Sequence, residues 1–208
     1  DKNLQIIGEK PMIQFTMDAA LNAKSLDSFI LSSDDDNAIN LAKELGVNVP
    51  FKRPNNLCLD SSSLIDVLDH VLKWYEINYN MLPENIILLQ PTSPFRDSIE
   101  IKKAINEFEK KKLDTMFSAY RDKLTIWKKN KKLQPISYSL KRRVRSQFTN
   151  DLIIENGAIY IFKKNGFDNF NNRLFGKIGV FFMSKPKSLE IDSLDDLKFT
   201  KLVNLKKI

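Results

Sequence analysis

The sequence has one cysteine, one histidine and no long apolar run, and each shortage excludes a class of protein. Because Cys58 is alone, no internal disulfide can form, so we predict a reducing compartment, the cytoplasm. Because His70 is the one histidine, a histidine-based catalytic triad is excluded unless His70 itself is the base. The sequence also has no set of residues with the spacing of zinc ligands. No stretch approaches ~18 uninterrupted apolar residues and no signal-peptide pattern opens the chain, so we expect no membrane partner.

The length and charge of the chain limit its organisation and its partners. Its 208 residues fit one domain, residues 1–208, and the formal net charge is +7. An excess of positive charge favours an anionic partner, which is either nucleic acid or a phosphorylated or carboxylated small molecule. A lysine-rich composition can also arise without any such partner, so the charge alone does not decide between these readings.

Strand-like and helix-like segments alternate along most of the chain. This rhythm predicts an α/β fold with a mostly parallel sheet and helices on both faces. We predict helices over residues 11–24, 37–45, 64–75 and 99–111, with a last helix opening at 194. We predict strands over residues 28–33, 47–51, 86–89, 114–121, 178–183 and 188–192, and another that follows a turn at 155–157.

The segment 86–96, Ile-Ile-Leu-Leu-Gln-Pro-Thr-Ser-Pro-Phe-Arg, is the centre of the predicted sheet. Four aliphatic residues in a row indicate a strand that is buried on both faces, and two prolines then force the chain out of the sheet. Ligands of open α/β sheets bind beyond the carboxyl ends of such strands. A Pro-Thr-Ser turn also occurs without function, but Gln90 needs partners for both of its polar atoms. Gln90 is therefore a candidate ligand-binding residue.

Glu190 and Asp192 form a second candidate site near the end of the chain. On a strand, residues two apart point to the same face. Two neighbouring carboxylates repel each other unless a cation lies between them, so this pair favours Mg²⁺, with Mn²⁺ as the other option. Asp195 and Asp196 are interpreted as charges at a helix N-terminus.

Three motifs in this order resemble those of the acylneuraminate cytidylyltransferases, also called CMP-sialic acid synthetases. They are the segment 88–96, the run 155–160 (Glu-Asn-Gly-Ala-Ile-Tyr) and the Glu-Ile-Asp of residues 190–192. Lys2-Asn3 and the Gly-Glu-Lys-Pro-Met-Ile of residues 8–13 are also similar to the family. The resemblance implies a Rossmann-like nucleotidyltransferase fold and an enzyme that activates a nine-carbon 2-keto sugar acid with CTP, giving a CMP-sugar and pyrophosphate.

The resemblance also implies roles for individual residues. The nucleotide would be bound by Lys2, Asn3, Arg53 and Ser62, and the sugar acid by Gln90, Arg143, Gln147 and Asn156. The metal ion would be bound by Glu190 and Asp192. Arg145 would be catalytic and would stabilise charge at the reacting phosphate or sugar carboxylate. Simpler readings exist for several of these. Serines after residue 60 make a good helix N-cap, Asn156-Gly157 is a common hairpin turn, and His70 is interpreted as structural.

The basic segment 122–155 interrupts the alternation of strands and helices. Its basic and aromatic residues could form a nucleic-acid patch, but the patch is short. The resemblance instead implies an arm that packs against a second subunit, giving a homodimer. Ser146 and Phe148 depart from the family's pattern, which puts the local geometry in doubt.

Several alternatives stay open at this point. A strand and a glycine-rich phosphate loop open the family's chains, and here they are missing, so we expect the biological protein to be longer. The other readings are a synthetase for an eight-carbon keto-deoxy sugar acid, a basic nucleic-acid-binding module and a catalytically silent homologue. The sequence does not choose among sialic, legionaminic and pseudaminic acids.

Overall fold

The computed structural model describes residues 2–59, 61–129, 132–141 and 152–202, apart from the side chain of Lys201. Five of its helices confirm the predicted periodic segments to within about two residues, except that the third runs four residues further. The helices are α1 (Met12–Ala23), α2 (Asp36–Glu44), α3 (Leu64–Tyr79), α4 (Ser98–Lys110), α5 (Lys164–Phe170) and α6 (Leu194–Leu202), of which α5 was not predicted.

Four of the eight strands in the described residues form one sheet, and the others form a short ribbon at the N-terminus and another in the basic segment. The strands are β1 (Ile6–Ile7), β2 (Lys10–Pro11), β3 (Asn85–Leu89), β4 (Thr115–Asp122), β5 (Trp127–Lys129), β6 (Leu133–Pro135), β7 (Leu152–Lys163) and β8 (Ile178–Phe182).

The central sheet has the order β3-β7-β4-β8, and three of its strands run in the same direction. β4 and β8 pair in parallel, whereas β7 lies antiparallel between β3 and β4. Helices cover both faces, as predicted. Ile87 and Leu89 of β3 pack in the layer of α1 and α4, whereas Ile86 and Leu88 pack in the layer of α3 and α5. The four-residue apolar run is therefore divided between two cores.

The predicted turn at residues 155–157 is wrong, because these residues lie inside β7. β7 pairs in regular register with β4 up to Tyr160 opposite Phe117, and again at Glu155 opposite Ala119. Between these pairs the strand bulges, and Gly157 has a φ of +66°. Glycine adopts this left-handed conformation without the steric penalty that a side chain brings. The Asn-Gly signal thus marks a bulge in a long strand.

Two other predicted details differ from the structure. Residues 28–33 and 47–51 form a single parallel bridge, between Ile30 and Asn48, in place of two strands. The segment that carries Glu190 and Asp192 lies outside the sheet, and its Ile191 amide donates to the Thr92 carbonyl at 2.8 Å. The predicted serine cap of α3 is confirmed, because the Ser63 hydroxyl accepts the Ile65 amide.

α4 begins at the cap residue Asp97, which also joins an ion cluster. Its carboxylate accepts the amides of Ile99 and Glu100 and contacts Lys187 Nζ at 2.7 Å. Lys187 also contacts Glu100 at 2.8 Å. Burial opposes the ionisation of Asp97, but hydrogen bonds from Glu100 and Lys187 outweigh it and hold the pKa of Asp97 well below its ordinary value. Burial and the Asp97 carboxylate raise the pKa of Glu100.

We expect Asp97→Asn to lower the free energy of unfolding by about 0.5–1 kcal/mol at pH 7. Asparagine still caps the helix, so the loss is only that of the charge at the helix N-terminus and beside Lys187, partly offset by relief of Glu100. Because the native pKa of Asp97 is depressed, its carboxylate contributes stability to the fold above about pH 4. This contribution is lost as the pH falls through the native pKa. Urea unfolding of both proteins should show that the difference between their free energies of unfolding becomes smaller as the pH falls. A difference that becomes larger would contradict this account.

Candidate active site

Arg96 joins three elements at the carboxyl end of β3. Its guanidinium is buried and donates to the carbonyls of Gln90 at 3.3 Å and Ala158 at 2.6 Å, and to Thr16 Oγ1 at 2.7 Å. Burial lowers the pKa of Arg96 to about 9. Because buried carbonyls need donors, this one side chain fixes the loop after β3 against both α1 and the bulge of β7.

The side chains of Gln90 and Glu190 converge over Gly157. A Cβ atom placed on Gly157 would lie 2.6 Å from Gln90 Oε1 and 2.7 Å from Glu190 Oε1. The space that a side chain would fill is therefore used to bring these two oxygens close together. This convergence unites one residue from each of the three motifs that the sequence singled out.

Glu190 lies between a hydroxyl, a second carboxylate and a cation. Thr92 Oγ1 lies 3.4 Å from Glu190 Oε1, and Lys2 Nζ contacts Asp192 at 2.8 Å. Burial and the neighbouring Asp192 carboxylate raise the pKa of Glu190. Lys2, predicted to bind nucleotide, thus lies beside the predicted metal ligands, on a turn that also carries Asn3.

The donor set fits a magnesium ion. Among the residues that the structure describes, no group of three or more His, Cys, Asp or Glu side chains could hold a metal ion. Mg²⁺ commonly uses only one or two carboxylates and completes its shell with water and substrate phosphates. Glu190 and Asp192 supply such a pair, and the raised pKa of Glu190 indicates a carboxylate that a cation would stabilise.

A cavity of about 260 Å³ opens next to Glu190. It is lined by Tyr120, Ile154, Glu155, Asn156, Lys185, Ser188, Leu189 and Glu190. Lys185 Nζ pairs with Asp122 at 2.5 Å, which brings one cation to a wall that also carries Glu155 and Glu190. Glu155 also accepts the Tyr160 hydroxyl, and Arg173 stacks over the Tyr160 ring at 4.1 Å.

Asn156 lies in the wall of this cavity with its side chain already engaged. Only 2% of the residue is exposed, and its amide bonds to Ser118 at 2.6 Å and to Ser188 at 2.8 Å. The expected contact between this amide and a sugar stays a prediction, and the geometry favours a supporting role.

Arg53 and Ser62, the other two predicted nucleotide residues, lie in the segment between α2 and α3, and the Arg53 side chain bonds back to Ser32, before α2. Arg53 Nε donates to Ser32 Oγ at 3.3 Å, and its Nη2 donates to the Ser32 carbonyl. Ser62 Oγ donates to the Asn56 carbonyl at 3.1 Å and accepts the Leu59 amide at 3.1 Å. These contacts shape two loops, and their role toward a nucleotide stays a prediction.

The arm residues Arg143, Arg145 and Gln147 lie outside the described residues, so their predicted roles stay predictions. Of the predicted set, the structure brings together Gln90, Asn156, Glu190, Asp192 and Lys2 at one edge of the sheet. A larger groove of about 400 Å³ lies between α1 and α4, lined by residues such as Lys24, Lys102 and Lys103. None of the residues that line it belongs to the predicted site.

Sequence reasoning missed Arg96, Lys185 and the buried serines around Asn156. Arg96 was visible in the central motif, but nothing in its neighbours signals that a guanidinium there is almost completely buried. Lys185 resembled any surface lysine. Ser118 and Ser188 come from segments 70 residues apart, so only the fold brings them to the same amide.

A polar site beyond the carboxyl ends of the strands is where open α/β sheets bind their ligands. Solved structures share this fold. A CMP:2-keto-3-deoxy-manno-octonic acid synthetase, solved with CTP, superposes with a TM-score of 0.68 over 100% of this chain and 92% of its own, at 15% identity. At that identity the likeness shows the fold alone.

The particular family follows from the sequence. The profile described as cytidylyltransferase matches residues 1–207, so the chain belongs to the cytidylyltransferase family. It is 29% identical to an N-acylneuraminate cytidylyltransferase of Escherichia coli O18:K1:H7, over 100% of this chain and 49% of that protein. It is 25% identical to a pseudaminic acid cytidylyltransferase of Campylobacter jejuni, over 97% and 88%. The chain therefore spans about half the length of the first relative.

The described residues contain no helix long and apolar enough to cross a membrane.

We expect Arg96→Met to lower the free energy of unfolding by about 3 kcal/mol, because the buried Ala158 carbonyl and the Thr16 hydroxyl would lose a donor and the Gln90 carbonyl would lose one of its donors. Arg96→Lys should recover only part of this, since an ammonium lacks the planar fork that reaches all three oxygens. Urea unfolding measures both changes. A lysine variant as stable as the wild type would show that charge, and not the fork, is what this position requires.

Proposed function

We propose that this chain is a cytidylyltransferase that joins CTP to a nonulosonic acid, a sugar acid of the sialic-, legionaminic- or pseudaminic-acid type. The observation that carries the proposal is the convergence of Gln90 and Glu190 over Gly157, beside Asp192 and an adjoining cavity. Membership of the cytidylyltransferase family supports the nucleotide part. The names of the two relatives support the sugar-acid part.

The reaction exchanges one phosphorus–oxygen bond for another. The oxygen of the sugar's anomeric hydroxyl bonds to the α-phosphorus of CTP, the bond from that phosphorus to the pyrophosphate oxygen breaks, and the hydroxyl proton is lost. Pyrophosphate leaves with the bonding electron pair. Proximity and alignment supply much of the rate of such a transfer, because little covalent work is required of the protein.

The nucleotide would be held at the edge of the sheet by Lys2, Asn3, Arg53 and Ser62. Lys2 already neutralises Asp192, and its ammonium could turn to a phosphate of CTP. Glu190 and Asp192 would hold Mg²⁺ or Mn²⁺ between them. When bound, such an ion neutralises charge that develops on the phosphate oxygens. Gly157 keeps the approach to Glu190 open, since a side chain there would collide with both oxygens.

The sugar acid would occupy the 260 Å³ cavity, which approaches the volume usual for small-molecule sites, about 300–1,000 Å³. Gln90 can donate and accept hydrogen bonds to sugar hydroxyls, and Lys185 offers a positive charge to the carboxylate. Asn156 contributes to the wall. We assign Arg143 and Gln147 of the arm to the same substrate and Arg145 to the charge at the reacting phosphate. Guanidinium groups bind carboxylates and phosphates in two-pronged contacts, and the amide of Gln147 can donate to and accept from sugar hydroxyls.

The test is pyrophosphate release from CTP and Mg²⁺ by the purified protein with a panel of nonulosonic acids. We expect release with at least one acid, and a loss of at least about 100-fold in Glu190→Gln and in Asp192→Ala, because each removes a charge from the metal site. Asp195→Asn, an exposed carboxylate in the first turn of α6, is the matched control and should keep full activity.

Each outcome of this assay separates the readings that the sequence left open. Release with the eight-carbon acid alone would replace the substrate class and keep the reaction. Release that survives both site substitutions would reject the metal assignment. No release with any acid would reject the function and favour a silent homologue or a binding module.

We also propose a homodimer formed through the arm of residues 122–155. Its described part includes the β5–β6 ribbon. The apolar side chains of Leu133 in this ribbon and of Ile136 and Leu140, which follow it, are each more than 60% exposed. Exposed apolar surface is typical of protein–protein interfaces. The proposal therefore rests on three apolar side chains that are exposed in the single chain.

Sedimentation velocity should find two chains per particle for the wild type and one for the double variant Leu133→Asp, Ile136→Asp. The reason is that two carboxylates buried in an apolar contact would carry a large desolvation cost. Ile77→Asp, an equally apolar and 81% exposed position on α3, is the control and should leave the mass unchanged. A wild type that sediments as a single chain at micromolar concentration would refute the dimer.

A further inference from the structure

A continuous chain of hydrogen bonds runs beneath the candidate site. The Ile159 amide donates to Ser118 Oγ at 2.7 Å, and Ser118 Oγ donates to Asn156 Oδ1 at 2.6 Å. Asn156 Nδ2 donates to Ser188 Oγ at 2.8 Å, and Ser188 Oγ donates to the Ser184 carbonyl at 2.9 Å. The three side chains in this chain are at most 5% exposed.

The direction of every hydrogen bond in this chain is determined. A serine hydroxyl has one proton, so Ser118, which accepts the Ile159 amide, gives its proton to Asn156. The Asn156 oxygen therefore faces Ser118, and it also accepts the Ala158 amide at 3.2 Å. The amide nitrogen must then face Ser188, whose proton goes to Ser184. Buried networks satisfied in this way hold one arrangement, because any alternative leaves a polar group unpaired.

This chain ends next to the predicted metal ligand. Ser188 closes the turn Pro186–Ser188, two residues before Glu190. On the other side of Glu190, the Ile191 amide is tied to the Thr92 carbonyl at 2.8 Å. Glu190 is thus bracketed by two fixed points. One of them, Ser188, is held by hydrogen bonds within its own turn and by the Asn156 amide.

We propose that Ser118, Asn156 and Ser188 are positioning residues that set the Glu190 carboxylate for cation binding. We call these three residues the amide relay. The inference rests on the proposed function, because it needs the cation at Glu190 and Asp192. In this proposal Asn156 does not make the sugar contact that the sequence predicted, but its amide orients the metal ligand Glu190 through Ser188. Residues that orient metal ligands in this way influence metal affinity although they never touch the ion.

The direct test is Mn²⁺ binding in the presence of CTP, measured as the loss of the electron paramagnetic resonance signal of free Mn²⁺ beyond the loss that CTP alone causes. Ser188→Ala and Ser118→Ala each break one link of the amide relay, and we expect both to weaken Mn²⁺ binding about 10-fold or more. Ser188→Thr keeps the hydroxyl and should recover most of the affinity. Glu190→Gln shows how far the Mn²⁺ affinity falls when a proposed metal ligand itself is removed.

Ser93→Ala is the matched control. Ser93 is completely buried and donates to the main-chain carbonyl of Asn156 at 3.3 Å, outside the amide relay. It should lose stability like the other serine variants and yet bind Mn²⁺ as tightly as the wild type. Amide hydrogen exchange of residues 184–192 should become faster in Ser188→Ala and Ser118→Ala and stay unchanged in Ser93→Ala.

The results separate the amide relay from the proposed function. If the wild type binds Mn²⁺ and Glu190→Gln weakens it, while Ser188→Ala does not, the amide relay is refuted and the metal site stands. If Ser93→Ala weakens binding as much as Ser188→Ala, the effect is a general loss of stability and the inference is again refuted. If the wild type with CTP binds no Mn²⁺, the metal assignment fails and the amide relay fails with it.

Discussion

The buried guanidinium of Arg96 is the contact on which the candidate site depends. It bonds to three oxygens from three places, the carbonyl of Gln90, the carbonyl of Ala158 and the hydroxyl of Thr16. All three acceptors are neutral, so the cost of burying the charge is offset by hydrogen bonds and not by an opposite charge. The loop after β3, the bulge of β7 and helix α1 therefore share one fixed point.

The antiparallel strand β7 explains how the site can open at that point. A parallel strand in the same place would have brought another strand-to-helix loop to this edge of the sheet. Instead the bulge at residues 156–158 interrupts the pairing with β4, and Gly157 supplies a backbone conformation and a free volume that other residues would not. Gln90 and Glu190 can then reach each other across the strand.

The electrostatics of the site follow from what surrounds its acids. Glu190 is partly buried beside Asp192, and both effects raise the pKa of its carboxyl group. Lys2 compensates Asp192, and Lys185 lies on the wall of the adjoining cavity. Cations close to paired carboxylates suit a site that receives a highly charged nucleotide and a sugar acid together, as proposed.

The sequence by itself determined the class of fold, five of the six helices in the described residues and the three motifs. Hydrophobic periodicity and runs such as residues 86–89 depend only on which residues are neighbours along the chain, and the structure confirms them. The tertiary structure alone decided what depends on distant partners. It placed Glu155–Gly157 inside a strand, took Glu190 and Asp192 out of the sheet, buried Arg96 and joined Ser118 to Ser188 through Asn156. Each of these is a contact between segments far apart in sequence, and local propensity carries no information about which oxygen a buried donor will find.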